Sequence, residues 1–391
     1  MEIEDLPTLT ALLDDGHSLH GVRVQGVDLD ACAERLLARS DLHGLVVLGG
    51  AMAPPLVRHL VGAGAVVFPT VHDSPVDVYR SRLYSPEELY AGIARGYDDT
   101  PDALAYAWSQ DASLVGDPYV AVLRSLHDDS MEDALDDLLA DRRVVGIMGG
   151  HGVDRGTARY AEAAHLGRAL AAYGLVVATG GGPGAMEAAN LGAACPDDAT
   201  LEDALRRLAT VPSFRPEVSP WARVALEVRE GLGAPDPVTS IGIPTWFYGH
   251  EPPNAFAQAI AKFFSNALRE DLLLARCTAG VVVLPGAAGT VQEVFQLTTR
   301  LYYAAEGETV PLVLVGREHW TQTLPVWPLL QALGHGREMG DRIHLVDDIA
   351  DVPELLRESS TPPALRTPPV ARSGGLGRNS SGYERRWTTW T

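Results

Sequence analysis

The chain has 391 residues, 46% of them hydrophobic, so it can form one large domain or two smaller ones around a substantial core. Its formal net charge of -20 at pH 7 argues against general affinity for nucleic acid or for an anionic membrane surface. Any anionic ligand must therefore be bound by a local site.

Cysteine usage and the first residues predict a cytoplasmic protein. Cys32, Cys195 and Cys277 are widely spaced and odd in number, which gives neither a disulfide framework nor a zinc motif. The acidic opening MEIEDLPTLT has no apolar signal region, and no run approaches the roughly 18 apolar residues of a membrane span. We expect neither secretion nor membrane insertion.

In chain order, the first 140 residues show a small α/β pattern. The runs GLVVLGG (44–50) and AVVFPT (65–70) predict strands, and DDSMEDALDDLLADRR (128–143) predicts an acidic connecting helix. We therefore expect residues 1–140 to form a smaller α/β N-terminal domain, which could be a degenerate copy of the fold that follows.

The middle of the chain alternates β-rich runs with helical patterns, which is typical of a parallel sheet covered on both faces. RVVGIMGG (143–150) predicts a strand that enters a glycine turn, a helix follows to Gly174, and residues 175–190 repeat the unit. We predict a doubly wound, Rossmann-like parallel sheet over residues 141–358. Its further elements are predicted as strands at 240–244, 281–284, 311–315 and 342–346, and a long helix at 254–271.

Two segments stand apart from this alternation. Residues 195–240 are acidic and then rich in proline, with helical fragments, and we expect a helical insertion that forms a flap over the edge of the sheet. From residue 359 to 391 the chain is rich in Ser, Pro, Gly and Arg with few apolar residues, which predicts a disordered tail.

The stretch VVVLPGAAGTVQEVFQ (281–296) predicts a strand, a loop of small residues and an amphipathic helix. The first N–H groups of such a helix lack internal partners and attract an anion, which small side chains allow to approach closely. The alternative is a tight turn that needs glycine only for its backbone angles. The candidate phosphate-binding residues are Pro285, Gly286, Ala287, Ala288 and Gly289, with the Thr290 hydroxyl as a further donor.

A second glycine turn, TGGGPGAME (179–187), also precedes a helix that carries a carboxylate. Glu187 and Glu293 each lie about one turn into their helix, and both loops open at one edge of the sheet if their strands are neighbours. The positive end of a helix dipole favours an ionised carboxylate, which suits a base, a ribose-hydroxyl acceptor or a counter-charge to a cation. Alternatively, either glutamate only stabilises the start of its helix.

Several cofactor classes are excluded or disfavoured by particular residues. Lys262 is the only lysine and lies far from any glycine loop, which excludes a Walker phosphate loop. Its predicted mid-helix position beside two phenylalanines argues against a pyridoxal phosphate Schiff base. GGHGVDRG (149–156) lacks the dinucleotide spacing, and the next strand ends in Thr179 rather than an acid, so NAD is disfavoured. We expect no cofactor and no metal.

GGGPGAMEAAN (180–190) and PGAAGTVQE (285–293) resemble the two signature motifs of the LOG (Lonely guy) family, the second of which runs Pro-Gly-Gly-x-Gly-Thr-x-x-Glu. Ala287 replaces the second glycine of that motif. The resemblance covers roughly residues 142–348, and WFYGHEPPNAF (246–256) is similar to the longer bacterial nucleotide nucleosidases of the family. The matching positions of the second motif are Pro285, Gly286, Gly289, Thr290 and Glu293.

The resemblance implies hydrolysis of the N-glycosidic bond of nucleoside 5′-monophosphates, such as AMP, to free base and ribose 5-phosphate. An ionised Glu293 would stabilise the oxocarbenium-like state of that cleavage. The family also uses an arginine from the preceding helix, which Arg269 matches best; a surface ion pair with Glu270 or Asp271 is the alternative. The other residues expected at the nucleotide are Gly149, Gly150, Gly181, Gly182, Gly184, Met186 and Glu187.

Three questions stay open at the level of the sequence. His151 could protonate the leaving base or be an ordinary loop histidine. A non-catalytic nucleotide sensor is the alternative to an enzyme, and Ala287 would then mark lost activity. The motifs do not fix the base, while the family resemblance implies a homodimer or a higher homo-oligomer.

Overall fold

The structure is a computed structural model that describes residues 1–233, 237–247 and 251–358. The tail predicted to be disordered, 359–391, lies outside the described residues. The chain forms two separate parallel sheets of four and seven strands.

The four-stranded sheet is built by the first 68 residues, and its strands lie in the order of the sequence. A separate apolar core packs between this sheet and its helices. The elements are β1 Glu2–Ile3, α1 Leu6–Asp14, β2 Arg23–Gln25, α2 Ala33–Leu37, β3 Val46–Leu48, α3 Pro54–Gly62 and β4 Val66–Phe68.

Three helices connect this sheet to the larger one: α4 Pro86–Leu89, α5 Pro101–Gln110 and α6 Pro118–Leu139. Helix α6 contains most of the acidic helix predicted at 128–143, but begins ten residues earlier. Asp117 caps it with a side-chain oxygen, and Pro118 occupies the first position, where its missing N–H costs nothing. Buried residues of all three helices pack into the core of the larger sheet, so the boundary predicted at residue 140 stays a prediction.

The remaining elements form the seven-stranded sheet and its helices. They are β5 Val144–Met148, α7 Ala158–Ala172, β6 Val176–Thr179, α8 Ala185–Ala194, α9 Asp198–Leu208, α10 Val218–Leu232, β7 Ser240–Gly242, β8 Ala259–Ile260, α11 Asn266–Arg276, β9 Gly280–Val283, α12 Ala288–Tyr303, β10 Leu312–Val315, α13 Trp327–Gly334, β11 Ile343–Val346 and α14 Val352–Glu358.

The strand order of this sheet is β11-β10-β9-β5-β6-β7-β8, and every pair is parallel. One face is covered by α6, α11, α12 and α13, and the other by α7, α8 and α14. This arrangement confirms the predicted doubly wound, Rossmann-like α/β fold. The direction of winding changes between β5 and β9, where such sheets bind ligands.

The long helix predicted over 254–271 is wrong. Residues 255–264 are largely buried and form no helix: Ile260 exchanges both backbone hydrogen bonds with Tyr84, while β8 pairs with β7. Tertiary pairing thus overrides helix propensity. Helix α11 begins only at Asn266, where Ser265 caps it.

The helical insertion predicted near 195–240 contains α9 and α10, which pack against the α7 side of the large sheet and not as a flap over its edge. Among the described residues, no helix has the length and apolarity needed to cross a membrane.

Candidate functional site

Three loops of small residues meet at the carboxyl edge of the large sheet, after β9, β5 and β6. The strands β6 and β9 are not direct neighbours, because β5 lies between them. The β5 loop nevertheless touches both of the others. A Cβ placed on Gly150 would lie 3.4 Å from the Pro285 carbonyl oxygen, and one on Gly184 would lie 2.6 Å from the Gly150 carbonyl oxygen.

The loop after β6 needs its glycines for the protein's own packing. Gly181 and Gly184 have φ values of +71° and +76°, which side-chain-bearing residues rarely adopt. A Cβ on Gly181 would also meet the Pro244 ring at 2.7 Å. The glycines from 180 to 184 are buried, with Met186 packed against Gly180 and Gly182. The glycines of this loop are therefore explained by its backbone angles and packing, without a bound ligand.

A buried polar network holds this loop in place. The Asn254 N–H donates to the Gly181 carbonyl at 2.8 Å, and its side-chain amide donates to the Gly182 carbonyl at 3.1 Å. The same amide donates to Asn190 Oδ1 at 3.0 Å, which also accepts from the Thr179 hydroxyl at 2.6 Å. Because every partner is buried, the network fixes one geometry for the turn.

The loop after β9 is different, because it is open to solvent. Ala287, Ala288 and Gly289 are exposed, and Ala287 at the N-cap provides no side-chain hydrogen bond to α12. The φ of Ala287 is -118°, so its backbone does not require glycine. Only Gly286 is sterically fixed, since a Cβ there would lie 2.1 Å from Thr290 Oγ1. The first N–H groups of α12 are thus accessible to an anion.

Arg269 and Glu293 form a buried pair beside these loops. The guanidinium Nη1 of Arg269, on α11, lies 3.5 Å from Glu293 Oε1, on α12, with side chains only 10% and 16% exposed. The same guanidinium packs against Gly180, where a Cβ would approach Nη2 to 2.9 Å. The Arg269 Nε atom is buried and has no hydrogen-bond partner within the described residues. The structure therefore brings together the two residues proposed for catalysis.

The alternative partners of Arg269 are engaged elsewhere. Glu270 accepts hydrogen bonds from the Asn266 and Gln292 side chains at 2.7 and 2.6 Å. Asp271 lies 3.7 Å from Arg300. Arg269 is consequently not part of a surface ion pair with either acid.

The electrostatics of Glu293 differ from the expectation of a carboxylate held ionised by a helix dipole. It lies in the second turn of α12, beyond the reach of the N-terminal partial charge. Burial raises the pKa of the Glu293 carboxyl, Arg269 opposes that rise, and the nearby Glu270 and Glu251 add to it. A carboxyl whose pKa is raised holds its proton more strongly than an ordinary glutamate, so acid chemistry is open to it as well as base chemistry.

Glu187 faces the protein interior. It is fully buried in the first turn of α8, and both of its oxygens accept hydrogen bonds from Arg155, one of them at 3.0 Å from Nε. Arg155 in turn donates to the Trp221 carbonyl at 3.1 Å and stacks over the Trp221 ring. This pair joins the glycine turn to α10, so we assign Glu187 a structural role.

His151 and Glu251 form a second pair at the rim of the site. The His151 Nδ1 atom lies 3.1 Å from Glu251 Oε1, and the other Glu251 oxygen would be 3.5 Å from a Cβ on Gly182. Sequence reasoning did not single out Glu251, Asn254, Asn190 or Arg155. Each lies in a segment that the sequence singles out, Arg155 in 149–156, Asn190 in 180–190, and Glu251 and Asn254 in 246–256, but their partners are distant in the chain.

Lys262 lies two residues after the end of β8 and is fully buried. Its ammonium donates to Asp102 Oδ1, on α5, at 2.5 Å and lies 5.3 Å from the centre of the Trp246 ring. Asp102 also accepts from Trp246 Nε1 at 2.9 Å and from the Tyr97 hydroxyl at 2.7 Å. Desolvation lowers the pKa of the Lys262 ammonium, and Asp102 opposes that shift.

Comparison with known proteins gives limited likeness at the level of whole structures. The molybdenum cofactor binding protein from Rippkaea orientalis superposes with a TM-score of 0.35 at 16% identity, over 56% of this chain and 98% of that chain. The molybdenum cofactor carrier protein from Chlamydomonas reinhardtii gives 0.34 at 17% identity, over 56% and 98%. No curated protein matches the chain.

Two family models match the sequence. The SLOG cluster4 family matches residues 142–200, and the family described as "possible lysine decarboxylase" matches residues 228–356. The residues between them, 201–227, contain most of the two insertion helices and the segment that connects them. A pyridoxal phosphate site does not fit Lys262, because that lysine is already paired with Asp102 and the phosphate of the cofactor would meet the acidic surroundings of Glu251, Asp98 and Asp102. The two matches confirm the resemblance to the LOG family that the glycine-rich motifs predict.

Proposed function

We propose that the protein hydrolyses the N-glycosidic bond of nucleoside 5′-monophosphates, releasing a free base and ribose 5-phosphate. The observation that carries this proposal is the buried Arg269–Glu293 pair beside the open N-terminus of α12. The start of α12 can bind an anion, and the Arg269–Glu293 pair beside it is largely removed from solvent. This arrangement suits a substrate that has a phosphate at one end and a labile bond a few ångströms away.

The phosphate binds the main-chain N–H groups at the start of α12. Ala287, Ala288 and Gly289 present no long side chain there, and the Thr290 hydroxyl lies over Gly286 as a further donor. The net charge of -20 would repel a nucleotide from most of the surface, so binding depends on this local field.

Glu293 acts on the sugar. As the bond between C1′ and the base nitrogen breaks, its electron pair leaves with the base and positive charge develops on the ribose ring. The ionised Glu293 carboxylate stabilises this charge in a site of low polarity, where electrostatic interactions are strong. A water molecule then bonds to C1′ and releases a proton to Glu293 or to solvent, while the departing base takes up one proton from solvent, so that no net proton is gained or lost.

Arg269 keeps Glu293 in its active state. Its positive charge favours the ionised carboxylate against the cost of burial. The guanidinium also lies against the backbone of Gly180, so it is positioned between the two glycine loops and is available to the phosphate or to the departing base.

The test is release of ribose 5-phosphate from a panel of nucleoside 5′-monophosphates by the purified protein. We expect release by the wild type and at least a hundredfold slower release by Glu293→Gln, with nucleotide binding retained. Glu306→Gln, an exposed glutamate just after α12, serves as the matched control and should leave the rate unchanged.

A protein that binds nucleotides but releases no ribose 5-phosphate would contradict the enzyme proposal. That outcome would favour the alternative of a non-catalytic nucleotide sensor, in which the same loops hold the ligand and Glu293 only contacts the ribose.

A further inference from the structure

A cavity of about 580 Å³ lies next to the proposed site, between α5, the first turn of α10 and the carboxyl ends of β7 and β8. We call it the Lys262 cavity. Its wall includes Tyr97, Asp102, Thr245, Trp246, Glu251 and Lys262, and none of these residues has a role in the chemistry described above.

The order of the strands makes this cavity an extension of the site. Along the carboxyl edge, the phosphate loop follows β9, the glycine turn follows β6, and Thr245 and Trp246 follow β7. Three strand spacings separate β9 from β7, roughly 14 Å in all, which is comparable to the length of an extended nucleoside monophosphate.

Glu251 joins the two regions. It lines the Lys262 cavity, yet it also pairs with His151 of the β5 loop and lies against Gly182 of the β6 loop. Its charge raises the pKa of Glu293 and also opposes the lowering of the Lys262 pKa. Glu251 therefore stands between the proposed catalytic pair and the cavity.

The charges of the wall determine which end of a nucleotide can enter. Four carboxylates, Asp98, Asp102, Glu217 and Glu251, face a single ammonium, Lys262. A phosphate would be repelled here, whereas the start of α12 attracts it. A ligand that spans the site must consequently place its uncharged end in the cavity.

We propose that the Lys262 cavity receives the nucleobase and favours bases that carry an exocyclic amino group. This inference rests on the proposed function, because it assumes a nucleotide on the α12 loop. Carboxylates accept hydrogen bonds and cannot donate them when ionised, so they match an exocyclic amino group and reject the exocyclic carbonyl oxygen that replaces it. Asp102 already accepts from three donors, which leaves Glu251 as the acceptor closest to the sugar.

The location is tested by filling the cavity. Ala103 and Ala107 line it from one face of α5, four residues apart. Binding is measured calorimetrically in the Glu293→Gln background, which prevents turnover. We expect Ala103→Phe to weaken binding of AMP at least tenfold and to leave binding of ribose 5-phosphate, which has no base, within twofold. Ala121→Phe, at an exposed position of α6 outside the cavity, is the control and should change neither affinity.

The selectivity is tested with two matched pairs of ligands. AMP has an exocyclic amino group where IMP has an exocyclic carbonyl oxygen, and CMP differs from UMP in the same way. We expect the amino member of each pair to bind at least fivefold more tightly, and Glu251→Gln to reduce that ratio to near one, because an amide can also donate a hydrogen bond.

Two results would overturn the inference: unchanged AMP affinity in both Ala103→Phe and Ala107→Phe, or equal binding of AMP and IMP by the unfilled protein. Failure of the proposed function gives a different pattern. Intact selectivity without release of ribose 5-phosphate would contradict the hydrolase proposal and leave the proposed base site standing. Absence of any nucleotide binding would overturn both.

Discussion

Gly289 lies in the first turn of α12 with no heavy atom within 4 Å of the position its Cβ would occupy. Gly289→Ala should therefore fold normally, with a free energy of unfolding unchanged or higher by up to about 1 kcal/mol. A methyl group there would nevertheless obstruct a phosphate pressed against the helix start. We expect at least tenfold weaker binding of ribose 5-phosphate, measured by calorimetry.

The control for that variant is Gly62→Ala, another helical glycine with open space around its Cβ position, far from the site. It should show the same stability effect and no change in binding. Unchanged affinity in Gly289→Ala would place the phosphate elsewhere.

Gly184, in contrast to Gly289, is required by the protein's own backbone conformation and packing. Its φ is +76°, and a Cβ would lie 2.6 and 2.7 Å from the carbonyl oxygens of Gly150 and His151. We expect Gly184→Ala to lower the free energy of unfolding by about 1 to 3 kcal/mol, measured by urea denaturation. Gly152→Ala, in the same region with open space, should cost little, and equal losses in both variants would contradict this account.

Glu293 should make the reaction depend on pH. Because burial raises its pKa, the active ionised form is lost as pH falls through a value above the ordinary range of glutamate. The rate should consequently rise with pH across that window and then level off. Arg269 lowers this pKa, so Arg269→Gln should displace the rising limb to higher pH, in addition to reducing the maximal rate.

The measurement is the pH profile of kcat/KM for both forms. A limb that does not move in Arg269→Gln would show that a group other than Glu293 controls the profile.

At the scale of elements, α6 determines where α11 begins. Asp128 of α6 accepts hydrogen bonds from the Phe264 and Ser265 N–H groups, both at 2.8 Å, immediately before α11. We expect Asp128→Ala to destabilise the protein by about 1 to 3 kcal/mol, because two backbone N–H groups lose their acceptor. It should also slow catalysis, because α11 carries Arg269.

Asp137→Ala, which removes an exposed carboxylate from the same helix, is the control for that variant and should change neither quantity by much. Thermal unfolding and the rate of ribose 5-phosphate release are measured together. Full activity in a destabilised Asp128→Ala would show that these two hydrogen bonds do not determine the position of Arg269.

Elements whose signals are local could be predicted from the sequence. The strands β5, β6, β9, β10 and β11 are apolar runs followed by turn residues, and α7 ends within two residues of the predicted Gly174. The segment around β8 could not be predicted, because its extended form depends on pairing with Tyr84, about 175 positions earlier in the chain.

The same division applies to the site. Glu293 and the phosphate loop are recognisable because their residues are contiguous in one motif, and Arg269 follows from the family resemblance. Glu251, Asn254 and Arg155 act through partners brought together only by folding, such as Gly182 and Glu187. The direction of the Glu293 pKa shift was also unpredictable, because it depends on burial between α11 and α12.

At the scale of the whole molecule, the Lys262–Asp102 pair connects the helices of the first 140 residues to the large sheet. Both side chains are at most 2% exposed, and a buried pair of this kind is costly to break because the remaining charge is left in an apolar environment. We expect Lys262→Met and Asp102→Leu each to destabilise the protein by about 3 to 5 kcal/mol, measured by urea denaturation followed by tryptophan fluorescence.

The double variant distinguishes a connecting ion pair from two independent contributions. If the two charges stabilise mainly each other, Lys262→Met/Asp102→Leu should be more stable than the sum of the single losses by about 0.5 to 3 kcal/mol. A loss of stability in the double variant equal to the sum of the two single losses would contradict this view. Asp102 also holds the Trp246 and Tyr97 side chains in the wall of the Lys262 cavity. The double variant restores the charge balance but not the hydrogen bonds that Asp102 accepts from Trp246 and Tyr97. It should accordingly recover stability without recovering the preference for AMP over IMP.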